Sequence, residues 1–287
     1  MPIRTEAPPE LFNPGLVLLW GNSPNGWKCT YLLQALKETG AIPDYTAVDV
    51  DLQNGEQFQP WFVAVNPNSK MPALIDNRQG MKPINVWESA SILLYLTKTY
   101  DTKGEFWFAN DEDLQTELVN WLFFTQSNVG PQQGQTNHFY RYSGQKIDYA
   151  IERFTTETYR LYQVLDDHLS GAKDAVKKEW IVGGKATTAD FCCQPWIRCH
   201  FWGGLSLDAY PSLAAWVHRV ESLPYVKNAL TVPKQDLVTI IKANPDIERQ
   251  IMERMKAQRE ENERKKREEA EGAAGTGAGE GEGAEGK

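Results

Sequence analysis

Residues 16–20 (LVLLW) form an unbroken apolar run of strand length, the pattern of a buried strand. The run enters a cluster of turn formers, Gly21-Asn22-Ser23-Pro24-Asn25-Gly26. Residues 27–38 (WKCTYLLQALKE) then carry apolar side chains at helical spacing and stop before Gly40, a C-capping glycine. Residues 45–50 predict a second strand and 56–65 a short helix ended by Asn66-Pro67. A strand entered through proline follows at 71–76 (MPALID), another at 82–86, and a helix at 88–100 (ESASILLYLTKTY). The order β-α-β-α-β-β-α predicts a helix-covered sheet containing parallel pairs.

From residue 111 to 230 the pattern holds no strand, only amphipathic helices at roughly 111–130, 145–170, 188–203 and 212–221. Thr187-Thr188-Ala189-Asp190 reads as a capping box, with Asp in place of the usual Glu. The predicted domains are therefore a lead-in at 1–14, an α/β domain at 15–103 and an all-helical domain at 111–235. Residues 243–270 read as a charged helix with a thin apolar row, Ile247, Ile251 and Met255. Residues 271–287 collapse to Gly, Ala and Glu, a composition expected to stay disordered.

Composition narrows the function classes. The 287 residues carry a net charge of −8, which argues against a nucleic-acid footprint built from clustered Lys and Arg. No stretch reaches the roughly 20 apolar residues needed to span a bilayer, and residues 1–10 lack the apolar core of a signal peptide. The four cysteines, Cys29, Cys192, Cys193 and Cys199, form no Cys-x-x-Cys pair and no disulfide framework. A reducing, cytoplasmic setting and no metal are the expectations.

Three features carry chemistry. Ser23 and Asn25 begin a helix: they serve simply as caps, the commoner role of such residues, or as donors, with free backbone N–H groups, that favour an anion such as a thiolate. Lowering a thiol's pKa is what makes it nucleophilic near neutrality. Met71-Pro72 opens a strand. It is either a plain turn or a cis peptide that leaves Met71 to pair with a peptide ligand as an added strand. Glu88-Ser89 opens an apolar helix. It is either an acidic first turn or a zwitterion site, Glu88 for an ammonium and Ser89 for a carboxylate. Together they suit a short thiol peptide such as glutathione.

The segments SPNGWK (23–28), GEQFQPWFVAVNPNSKMPALID (55–76), WESASILLYL (87–96), WLFF (121–124), GQTNHF (134–139), YAIERF (149–154) and TTADF (187–191) resemble the glutathione-transferase superfamily. Within it they are similar to the fungal nitrogen-regulator-like and bacterial Nu-class branch. The resemblance covers about residues 16–230. It implies a thioredoxin-like N-terminal domain, an all-α C-terminal domain, a homodimer, and glutathione as co-substrate. It also implies that Asn25, with Ser23, partners the thiolate, in place of the Tyr, Ser or Cys of other classes. Gln57, Lys70, Met71 and Pro72 are expected along the cysteinyl and glycyl parts, Glu88 and Ser89 at the γ-glutamyl end, and Arg153 near the ligand. Ser23 stands where related enzymes carry a nucleophilic Cys, so a covalent glutathionyl enzyme at that turn is excluded by residue type. Trp121, Phe124, His138 and Arg141 are the candidates for an acceptor pocket between the domains.

The implied activity is glutathione-thiolate attack on an electrophile, a peroxide or a mixed disulfide. Detoxification or fungal secondary metabolism is the implied setting. The alternative is a non-catalytic regulatory protein of the same fold.

Overall fold

The computed structural model of the chain describes residues 4–143, 145–244, 246–254, 256–257, 260–261 and 264. Residues 1–3 of the lead-in, Met255 of the apolar row and the 271–287 tail lie outside the described residues. The chain divides into two compact units, residues 1–239 and 240–287.

The first unit opens with a four-stranded sheet of β1 (Gly15–Trp20), β2 (Tyr45–Asp49), β3 (Ala73–Asn77) and β4 (Ile84–Trp87), in the order β2-β1-β3-β4. β1 pairs parallel with β2 and antiparallel with β3, and β3 pairs antiparallel with β4. The sheet is thus mixed, with a single parallel pair. The unbroken apolar run of β1 follows from its central position, because both its faces are covered. Leu16, Leu18 and Trp20 join the core formed with α1 (Pro24–Glu38), α3 (Ser89–Tyr100) and the later helices. Val17 and Leu19 point the other way, packing with Trp61 and Phe62 of α2 (Pro60–Val63).

The helical part comprises α4 (Glu112–Phe124), α5 (Gly130–Asn137), α6 (Asp148–Ser170), α7 (Thr188–Arg198), α8 (Pro211–Ser222), α9 (Pro224–Ala229) and α10 (Leu237–Ala243). α1 packs against α3, α7 and α9, so the helix that begins at the Ser23 turn also carries the contact between the two parts. The helix expected to end at 130 instead continues to residue 142. π turns at Thr125–Val129 and His138–Tyr142 bracket α5. The first shifts the hydrogen bonds so that Gly130 N–H donates to the Thr125 carbonyl, and Pro131, which has no N–H, falls in the opening turn of α5.

The capping box at the start of α7 forms as the spacing predicts. Asp190 accepts from Thr187 N–H at 2.8 Å, and also from Ile181 N–H and Trp216 Nε1. In the second unit, residues 246–254 are helical, with Ile247 and Ile251 half-buried. No helix among the described residues is long and apolar enough to cross a membrane.

Candidate active site

Strand register brings the three sequence features together. Leu19 near the end of β1 faces Ala73 at the start of β3, and Ala73 faces Trp87 at the end of β4. The Ser23-Pro24-Asn25 turn, the Met71-Pro72 entry and the Glu88-Ser89 helix start therefore emerge together where these strand ends form one rim of the sheet.

At the first of these, Ser23 caps α1, its Oγ accepting from Gly26 N–H at 3.3 Å. A Cβ on Gly26 would collide with the Gly21 carbonyl, so only glycine lets the helix start this close to the strand end. Asn22, just before the turn, is tied down from two sides. Its Oδ1 accepts from Trp27 Nε1 and Leu237 N–H, each at 3.1 Å. Asn25 presents its amide on the first turn of α1. Its Oδ1 accepts from Trp196 Nε1 at 3.0 Å, and among the described residues no group accepts from its Nδ2.

Met71 and Pro72 are joined by a cis peptide bond, and the Met71 side chain lies beside Gly21. Among the described residues no protein group pairs with the Met71 backbone N–H or C=O. Gln57 is buried, with no partner for its Oε1 among the described residues, while Lys70 is exposed and its carbonyl accepts from Asn66 Nδ2 at 2.5 Å.

Glu88 holds a positive φ of 70° and caps α3 with no side-chain bond to the helix; its Oε1 accepts from Asn68 Nδ2 at 3.2 Å. Ser89 is buried, and its Oγ accepts from Lys28 Nζ at 3.4 Å. Lys28 also donates to Gln126 Oε1, and Ser89 Oγ donates to the same atom at 3.3 Å. The Lys28 side chain is fully buried, and no carboxylate pairs with it among the described residues. Lys28, Gln126 and Trp196 were not among the expected site residues. Lys28 carried one visible signal, a charge embedded in the apolar WKCTYLL segment. Gln126 and Trp196 act across elements distant in sequence, which periodicity does not show.

The remaining candidates belong to the helical part. Arg153 is exposed on α6, in a hollow it lines with Gln132, Tyr149, Glu152, Thr156 and Glu157, none from the sheet domain. Trp121 packs on His168 at 4.5 Å and on Phe124 at 5.3 Å, bordering a small hollow with Val164 and Lys178. Arg141 donates to the Trp202 and Phe201 carbonyls and stacks on Trp202, and His138 packs on Phe139 and Tyr142. These four lie along the 112–142 helical run.

All four cysteines are buried and free. Burial pushes every thiol up, Cys193 and Cys199 to about 12, although Lys28 draws Cys192 the other way. None is a ready nucleophile.

The sheet order, the cis-proline entry and the helical second part define a thioredoxin-like domain followed by an all-helical domain. The chain matches "Glutathione S-transferase, N-terminal domain" over residues 15–98 and "Glutathione S-transferase, C-terminal domain" over 140–224, and it belongs to the glutathione S-transferase family. It is 34% identical to disulfide-bond oxidoreductase YfcG of Escherichia coli strain K12, over 74% of this chain and 93% of that one. It is 32% identical to transcriptional regulator URE2 of Saccharomyces cerevisiae, over 73% of this chain and 65% of that one. Among solved structures it resembles a glutathione transferase homolog from Lodderomyces elongisporus with two glutathiones per subunit. That likeness has a TM-score of 0.69 at 31% identity and covers 77% of this chain and 99% of the other.

Proposed function

We infer that the chain binds glutathione along this sheet edge and uses its thiolate to reduce small disulfides. The observation that carries the reading is the Asn25 amide, held by its oxygen with its N–H donors open at the positive end of α1. Such donors favour a thiolate by electrostatic preorganisation rather than by removing its proton. The unpaired Met71 backbone suits the peptide of the cysteinyl residue. Ser89 and the α3 N-terminus suit the γ-glutamyl carboxylate, with Glu88 suiting its ammonium. The reading assigns Gln57 and Lys70 to the glycyl end.

In the reaction, glutathione thiolate attacks a mixed disulfide between glutathione and a small thiol. The new S–S bond gives glutathione disulfide, and the thiol leaves as its thiolate, to be protonated by water. No enzyme thiol is needed, which agrees with four buried cysteines. The relative named a disulfide-bond oxidoreductase and the relative that holds two glutathiones support this chemistry over conjugation of an electrophile. A homodimer belongs to the same reading. The half-exposed Trp87 and Ile84 border a 560 Å³ hollow beside α3 that a second copy suits.

The test is calorimetric titration with glutathione, followed by turnover of a glutathione mixed disulfide at neutral pH. Binding with turnover is expected. Binding without turnover of disulfide, peroxide or electrophile favours a regulatory role like that of the URE2 relative, and no binding overturns the reading altogether.

A further inference from the structure

We propose that Trp196 is a positioning residue for the thiol site: its indole N–H fixes the orientation of the Asn25 amide so that a donor, not the oxygen, faces the sulfur. The inference rests on the reading that Asn25 donates to the glutathione thiolate.

A side-chain amide has two faces of opposite polarity, and only the N–H face stabilises an anion. Rotation by half a turn would aim the Asn25 oxygen at the thiolate and reverse the effect. An indole Nε1–H donates and never accepts, so its 3.0 Å contact selects Oδ1 as the atom turned toward α7. The flipped amide would set donor against donor. The capping turn itself supplies no such selection, because the Ser23 side chain bonds Gly26 N–H rather than Asn25.

The indole is itself held. A Cβ at Gly130 would lie 3.1 Å from Trp196 Nε1, and one at Gly134 would lie 3.6 Å from Cη2, so the ring rests along the glycine face of α5. The Trp196 carbonyl accepts from Gln133 Nε2 at 2.6 Å, and Gln133 Oε1 accepts from Tyr162 OH at 2.8 Å. Gln133 and Tyr162 are both fully buried. The helical part thus reaches across to set the electrostatics of a turn that belongs to the sheet.

A plain interdomain staple would also use this contact, so the test must read the thiol and not stability alone. Trp196→Phe keeps an aromatic ring on the glycine face and removes the donor together with part of the ring volume. The pKa of enzyme-bound glutathione is titrated by thiolate absorbance, with affinity and turnover against pH measured alongside. The expected result is a bound-thiol pKa raised by about one unit, equivalent to about tenfold less thiolate at a fixed pH below it. Turnover should fall by a similar factor, recover as pH passes the new pKa, and leave glutathione affinity within about threefold. In an Asn25→Ala background the same substitution should add nothing, because the group it orients is gone.

If Trp196→Phe folds poorly, benzothienylalanine at position 196 replaces N–H by sulfur in nearly the same shape, and the same shift is expected. An unmoved bound-thiol pKa in these variants, with a raised one in Asn25→Ala, overturns the positioning role and leaves Asn25 in place. An unmoved pKa in Asn25→Ala overturns both.

Discussion

Replacing Lys28 by methionine should make the free protein more stable and its hold on glutathione weaker. The two signs follow from one feature, a fully buried ammonium whose hydrogen-bond partners, Ser89 Oγ, Gln126 Oε1 and the Cys192 thiol, are all neutral. Burying such an ion costs several kcal/mol, and hydrogen bonds to a charged group return about 1.5–3 kcal/mol each. The methionine stem fills similar space, and Ser89 Oγ already lies 3.3 Å from Gln126 Oε1, so the two neutral groups satisfy each other once the lysine is gone. A gain of about 1 kcal/mol, or about 2–4 °C in Tm, is expected without ligand.

With glutathione bound as proposed, the balance should reverse. A carboxylate taken by Ser89 stands one hydroxyl away from Lys28. The Lys28–Ser89 contact is 3.4 Å, and a hydroxyl–carboxylate bond adds about 2.6 Å, which places the two charges about 6 Å apart. At an effective dielectric of about 20 this attraction is about 3 kcal/mol, roughly a hundredfold in Kd. Calorimetry on wild type and Lys28→Met measures it directly. 4-Aminobutyryl-cysteinyl-glycine, which lacks the α-carboxylate, provides the control and should bind both proteins alike. A Kd for glutathione within about threefold of wild type would refute the reasoning. So would an equal loss for the analogue, because the lysine would then act on something other than that carboxylate.

Other consequences are open to simpler assays. Treating the native protein with iodoacetamide, then desalting, should leave all four cysteines unmodified by mass spectrometry and disulfide reduction unchanged, because every thiol is buried and its pKa raised. Asp190→Ala leaves the buried Trp216 Nε1 and Ile181 N–H without their acceptor, so unfolding in urea should show a loss of about 3–5 kcal/mol. Asp236 is pushed up by burial but held below the ordinary carboxylate range overall by Arg198. A depressed folded pKa gives stability that is present above the unfolded value of about 3.9 and is lost as pH falls through the folded value. Urea midpoints between pH 3 and 6 should therefore fall more steeply with acid for wild type than for Asp236→Asn.

Local pattern made the sheet domain legible. The LVLLW run, the turn formers after it and the helical spacing of 27–38 correspond to β1 (Gly15–Trp20) and α1 (Pro24–Glu38) within a few residues. The carbonyl of Gly21 explains Gly26, but only three-dimensional contact reveals it. The helical part was less legible because Gly130-Pro131 reads as a stop, whereas a π turn absorbs it and the helix runs on. The short α9 (Pro224–Ala229) opens with a proline and was not anticipated. For the site, Ser23, Asn25, Met71, Glu88 and Ser89 were visible as helix starts and a strand entry. Their supports were not, because Trp196 lies 171 residues from Asn25 and Gln126 lies 98 from Lys28. The contacts of Trp121 with His168 and of Arg141 with the Phe201 carbonyl likewise join residues far apart in the sequence.

The central claim is that this fold lowers the pKa of a bound glutathione thiol through the Asn25 amide. Its most direct measurement is the pH titration of thiolate absorbance for glutathione bound to the wild-type protein and to Asn25→Ala. A wild-type value at least one unit below the free thiol's value of about 8.5 is expected, with a return toward that value in the variant. A bound thiol that titrates like the free one in both proteins would contradict it.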